Sequence, residues 1–98
     1  MNIYDFEELS IEQRKNISDD EFDLIFDSIA EEVQNEFHWN GMEVPEDKLL
    51  TICRDIAEKM HFKGMSYYDA YDLAFDRFFQ DLVYNLGSSD EAWSYLKD

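Results

Sequence analysis

Asp20, Asp23, Asp27 and Glu31 stand at i, i+3, i+7 and i+11, and Asp69, Asp72 and Asp76 repeat the first of those steps. On a helix each set falls on one face. A row of carboxylates can hold a cation, exchange protons, or stand where an anionic ligand would stand. At ~1.5 Å rise per residue, such a row places a carboxylate every ~5–6 Å. One DNA strand places a phosphate about every 3.4 Å along its axis. Two rows side by side therefore approach the charge density of a strand on a rigid scaffold. A protein that grips nucleic acid through lysine and arginine has the same charges to grip on such a surface. The plain alternative is a solvated helix face, but ordinary faces mix both signs, and these rows hold almost no bases. The candidate partner contacts are Asp20, Asp23, Asp27, Glu31, Glu32 and Glu36, then Asp69, Asp72 and Asp76. Trp39, Tyr67 and Tyr68 join them, because tryptophan and tyrosine are the usual anchors of an interface.

Cation binding and catalysis find less support. A calcium loop needs oxygen ligands at alternate positions around a sharp glycine turn. Asp19-Asp20-Glu21-Phe22-Asp23 has the acids without the glycine. Glu58-Lys59-Met60-His61 matches the Glu-x-x-His of carboxylate di-iron bundles, yet no second copy exists, since His38 lacks a glutamate three residues earlier. Cys53 lies on an apolar stripe, where packing is its expected role. Ser66, Ser88 and Ser89 read as helix caps, and no glycine-rich phosphate loop exists. The expectation is no catalytic residue, no metal site and no cofactor.

The charge is extreme. The 98 residues carry 24 acids and 8 bases, a net −16. Residues 16–47 alone hold eleven carboxylates and neither lysine nor arginine. Solubility of a small domain needs a net charge of only about 2–8, so the excess points to a basic partner. Nucleic-acid and anionic-membrane binders need basic patches and are disfavoured. An aromatic fraction of 16% supplies enough apolar material to fold, so the charge does not imply disorder. Cys53 is the single cysteine, which suits a reducing compartment. Met1-Asn2-Ile3-Tyr4-Asp5 shows no basic apolar leader, and no apolar run approaches the roughly 20 residues of a membrane span. The expected location is the cytoplasm of a bacterial host cell.

Helices must position these residues. Ile3, Phe6, Leu9 and Ile11 predict a short first helix, with a break near Ser10, where Ser10 and Gln13 offer a new start. Ser18 and Glu21 form a capping box for a long helix running to Phe37 or His38, with Ile25, Ile29, Val33 and Phe37 inward and Asn40-Gly41 ending it. Pro45 opens the next helix, striped by Leu49, Ile52, Cys53, Ile56, Ala57 and Met60 and closed by Lys63-Gly64. Its Lys48, Arg54, Lys59 and Lys63 make it the one basic segment, expected to lie antiparallel beside the acidic helix and neutralise part of it. Ser66 caps a fourth long pattern through Tyr71, Ala74, Phe75, Phe78, Leu82 and Leu86 to Gly87. Ser88 with Glu91 opens a last short helix holding Ala92, Trp93 and Leu96. No segment sustains period-two alternation. The reading is all-α, a single-domain bundle of four to five helices over residues 1–98.

The acidic helical surface resembles the Ocr-type DNA-mimic antirestriction proteins of phages, chiefly in composition. A local likeness runs through Gly41-Met42-Glu43-Val44-Pro45-Glu46-Asp47-Lys48. Small phage anti-CRISPR proteins share this style of surface. That resemblance implies a non-enzymatic inhibitor that fills the basic nucleic-acid cleft of a DNA- or RNA-handling protein. Asn16-Ile17-Ser18-Asp19-Asp20-Glu21-Phe22 also resembles the start of the first long helix of the colicin-type DNase immunity proteins. Tyr67-Tyr68 is similar to the tyrosine pair with which that family contacts its toxin, with Asp69 where the family has proline. This second likeness implies a nuclease-toxin immunity protein. A small metal-dependent enzyme is the third reading, and a homodimer stays open.

Overall fold

The computed structural model describes residues 1–97, and those residues form helices and short connections. The helices are α1 (Ile3–Glu7), α2 (Ile11–Lys15), α3 (Asp19–Trp39), α4 (Glu46–Lys63), α5 (Tyr67–Leu86) and α6 (Ser89–Leu96). The all-α expectation is met. The helix count exceeds four to five because the N-terminal segment splits at Ser10. There the Ser10 hydroxyl accepts from Gln13 N at 3.2 Å and Ser10 N donates to Gln13 Oε1 at 2.9 Å. Ser18, Ser66 and Ser88 cap α3, α5 and α6 in the same way, accepting from Glu21, Asp69 and Glu91 backbone amides. Glu21 does not complete a reciprocal box; its carboxylate lies 3.8 Å from the Met1 amino group. Pro45 sits just before α4, not in its first turn.

Three long helices make the bundle. Phe22, in the first turn of α3, meets the His61 ring near the end of α4 at 5.4 Å, so these two helices run antiparallel. Three residues, 64–66, return the chain into α5. Gly64 holds a left-handed φ of 68°, and a Cβ on it would lie 2.6 Å from Ile11 Cγ1, so this corner admits only glycine. Phe37 closes the bundle from α3 onto Phe75 and Phe78 of α5 at 5.6 and 6.1 Å. Ile25, Ile29, Val33, Ile52, Cys53, Ile56, Met60, Tyr67 and Ala70 fill the interior.

A three-helix bundle has three outer grooves. The α3/α5 groove is covered, because α1 packs on both helices and buries Ile3 and Phe6 there. At the other end, Leu96 O of α6 accepts from Glu43 N at 2.8 Å, joining the end of α6 to the segment after α3. The α3/α4 and α4/α5 grooves remain open. The charge neutralisation expected between α3 and α4 does not take the form of contact pairs. Among the described residues, the ion pairs are Met1–Glu21 and Lys59–Asp55, the latter within α4. Arg54 of α4 does reach the α3/α4 groove, but it meets Phe22 and Phe26 there, while Asp20, Asp23, Asp27 and Glu31 lie on the outer face of α3. No helix among the described residues is long and apolar enough to cross a membrane.

Candidate partner-binding surface

The α3 row is an outward ridge. Asp20, Asp23, Asp27 and Glu31 are all exposed, on the side of the helix opposite Ile25, Ile29 and Val33. None of these carboxylates pairs with a lysine or arginine among the described residues. Leu24, at 55% exposure, stands between Asp20 and Asp27 on the same face. Sequence reasoning passed over it, although its spacing from Asp20 and Asp27 was the signal. Asp69, Asp72 and Asp76 are likewise exposed on α5. The two ridges are not adjacent rails, because α1 packs between α3 and α5. Asp5, exposed on α1, and Glu8, exposed just past its end, add carboxylates to that intervening strip.

Glu32 and Glu36, the other candidate contacts on α3, lie off the ridge. Both are half-buried on the flank of α3 that faces α1 and α5. Glu32 Oε2 accepts a long hydrogen bond, 3.4 Å, from the Tyr4 hydroxyl. The neighbouring Tyr68 hydroxyl, partial burial and the Glu32 carboxylate together push the Tyr4 phenol up to about 12. Glu36 lies close enough to Tyr67 and Tyr71 to help burial hold both phenols neutral. These two candidate contacts therefore lie beside the tyrosines of α1 and α5, on a different face from Asp20, Asp23, Asp27 and Glu31.

The aromatic candidates divide sharply. Tyr67 is fully buried, with its ring 5.5 Å from Tyr68 and 5.9 Å from Tyr71. As a partner contact it is corrected: it belongs to the stripe Tyr67, Ala70, Tyr71, Ala74 that α5 turns into the core. Tyr68 is 52% exposed, and Trp39, in the last position of α3, is 69% exposed. Those two remain available to a partner.

Other polar groups serve the fold. The Arg14 guanidinium is buried and donates to four backbone carbonyls, those of Glu7, Leu9, Met60 and Met65. Burial lowers its pKa, and Glu7 partly offsets this. Burial pushes the Cys53 thiol up to about 11, which keeps it neutral and unreactive. His61 packs between the rings of Phe6, Phe22 and Phe62, and burial plus nearby Lys15 lower its pKa. Among the described residues, Glu58 and His61 are not joined by a third metal-ligating side chain.

Bases and acids gather in the α4/α5 groove, of about 300 Å³. Lys48, Arg54 and Arg77 line it together with Asp55, Glu58 and Asp81, above a floor of Ile52, Ala74, Phe78 and Leu82. The α3/α4 groove, about 380 Å³, is lined by Phe22, Phe26, Ala57, His61 and Phe62, with Arg54 and Glu58 of α4 beside them. No protein-family model, curated protein or solved structure matches this chain.

Proposed function

We propose that this chain is an acidic inhibitor that occupies the basic nucleic-acid-binding cleft of a DNA- or RNA-handling protein. The observation that carries the reading is the α3 ridge. Its four carboxylates are exposed and free of pairing to the chain's own bases among the described residues, on a helix of 21 residues. A helix of that length spans about 30 Å, enough to lie along a cleft that normally holds a nucleic-acid backbone. Asp69, Asp72 and Asp76 offer a second, separate row, so the target is met on two faces of the molecule and not by one double rail. Antirestriction or anti-CRISPR activity in a phage or mobile element is the setting that the compositional resemblance suggests. The immunity reading is weaker, because only Tyr68 of the Tyr67–Tyr68 pair can reach a partner.

The test is displacement of DNA from a panel of purified restriction endonucleases and CRISPR effector complexes, at low and high salt. At least one target should release DNA, with affinity falling steeply as salt rises. Asp20→Asn/Asp23→Asn/Asp27→Asn/Glu31→Gln should weaken binding by about tenfold or more, since exposed ion pairs contribute about 0–1 kcal/mol each. Asp23→Asn alone should have a small effect. Unchanged binding by the fourfold variant would remove the α3 ridge from the contact. Loss concentrated in Tyr68→Ala would favour the immunity reading.

A further inference from the structure

We infer that the α4/α5 groove is the contact between two copies of this chain, related by a two-fold axis. A two-fold interface joins a surface to itself, so the surface must be its own complement. The acidic ridges fail that requirement, because each would meet like charge. The α4/α5 groove satisfies it. Its lining holds three bases and three acids, Asp55 among them already paired with Lys59, in a chain whose net charge is −16. Arg54, Glu58, Arg77 and Asp81 share this groove, yet among the described residues none of them forms an ion pair within its own chain. In a two-fold dimer Arg54 and Arg77 of one copy face Glu58 and Asp81 of the other, and the reverse holds at the same time.

Apolar surface accompanies the charges. Tyr84 stands seven residues after Arg77, on the same stripe of α5, and is 88% exposed. A second copy would take that ring out of water, which is the favourable term that charge matching then orients. This groove sets three bases and three acids on an apolar floor, whereas the α3/α4 groove shares with it only Arg54 and Glu58. The inference does not depend on the proposed inhibition, since it concerns the face that carries neither ridge.

Sedimentation equilibrium of the full chain tests it, run from micromolar to millimolar concentration in moderate salt. The expected result is a reversible dimer of twice the 11.8 kDa chain mass. Arg54→Glu/Arg77→Glu should weaken dimerisation by about tenfold or more. That change also makes the chain more acidic, so a charge-matched variant is needed. Adding Asp20→Asn/Asp23→Asn/Asp27→Asn/Glu31→Gln returns the net charge to −16 and should leave dimerisation impaired. Circular dichroism confirms that each variant is folded. A wild-type chain that stays monomeric overturns the inference. So does wild-type dimerisation by Arg54→Glu/Arg77→Glu, or full recovery in the charge-matched variant, which would reduce the effect to overall repulsion.

Discussion

Arg14 Nη1 donates to the Met60 carbonyl at 2.9 Å, tying α2 to the last turn of α4. The same nitrogen reaches Met65 O at 2.8 Å, while Nε and Nη2 reach Leu9 O and Glu7 O. One cation thus satisfies carbonyls at the end of α1, after α1 and beyond the end of α4, which backbone donors leave open. In a chain so rich in acid, it makes no ion pair among the described residues. Its charge is stabilised by oriented peptide dipoles.

Arg14→Met should therefore cost about 2–4 kcal/mol, because buried acceptors lose a charged donor and gain none. Arg14→Lys should recover only part of this, since an ammonium lacks the fork that reaches separated carbonyls. Urea unfolding of the three proteins reads the difference. Equal midpoints for wild type and Arg14→Met would show that water replaces the guanidinium at little cost.

The His61 ring packs among Phe6, Phe22 and Phe62, and its folded pKa lies below the ordinary 6.5. The unfolded chain then binds a proton that the folded chain refuses as pH falls through 6.5. Stability from this site is present above that pH and declines below it. His61→Phe keeps an aromatic ring and removes the titration. Unfolding free energies between pH 5 and 8 should fall more steeply on acidification in the wild type than in the variant. Parallel curves would place His61 in an unperturbed environment. Comparison with the variant cancels the opposite trend from carboxylates, whose protonation relieves repulsion.

That repulsion is itself measurable. With 24 acids against 8 bases and few ion pairs to lose, moderate sodium chloride should raise the melting temperature. Screening worth about 1 kcal/mol corresponds to about 4–8 °C in a domain of this size. A fall in melting temperature with salt would mean that local attractions outweigh the net charge.

Local signals made most of the architecture readable. Each Ser-x-x-Gln or Ser-x-x-acid start became a helix cap, and Ile25, Ile29, Val33 and Phe37 became core at the expected steps. What escaped depends on distant partners. Nothing local to Arg14 marks it as buried, since its acceptors at Met60 and Met65 are 46 and 51 positions away. Glu32 and Glu36 read as candidate partner contacts, but their partial burial is set by where α1 and α5 pack. The α4/α5 groove was invisible because Arg54 and Arg77 lie on different helices. Tyr67 was legible in principle: Tyr67 and Ala70 precede Tyr71 and Ala74 by the same helical step, so the core stripe extends back to include it.

Tyr67 and Tyr68 give the sharpest test of that placement. Tyr67 is fully buried, and among the described residues its hydroxyl has no hydrogen-bond partner. An unsatisfied buried hydroxyl costs about 1–3 kcal/mol, so Tyr67→Phe should be at least as stable as the wild type. Tyr67→Ala should lose about 3–5 kcal/mol by opening a cavity among Tyr71, Cys53 and the α1 contacts. Tyr68→Ala, on an exposed ring, should change stability by about 0.5 kcal/mol or less. Denaturant midpoints of the three variants separate core from surface without any partner in hand. A destabilised Tyr67→Phe would reveal a hydrogen bond to the hydroxyl, for instance through an ordered water. A Tyr68→Ala variant as unstable as Tyr67→Ala would reverse the assignment of the pair and return Tyr67 to the list of partner contacts.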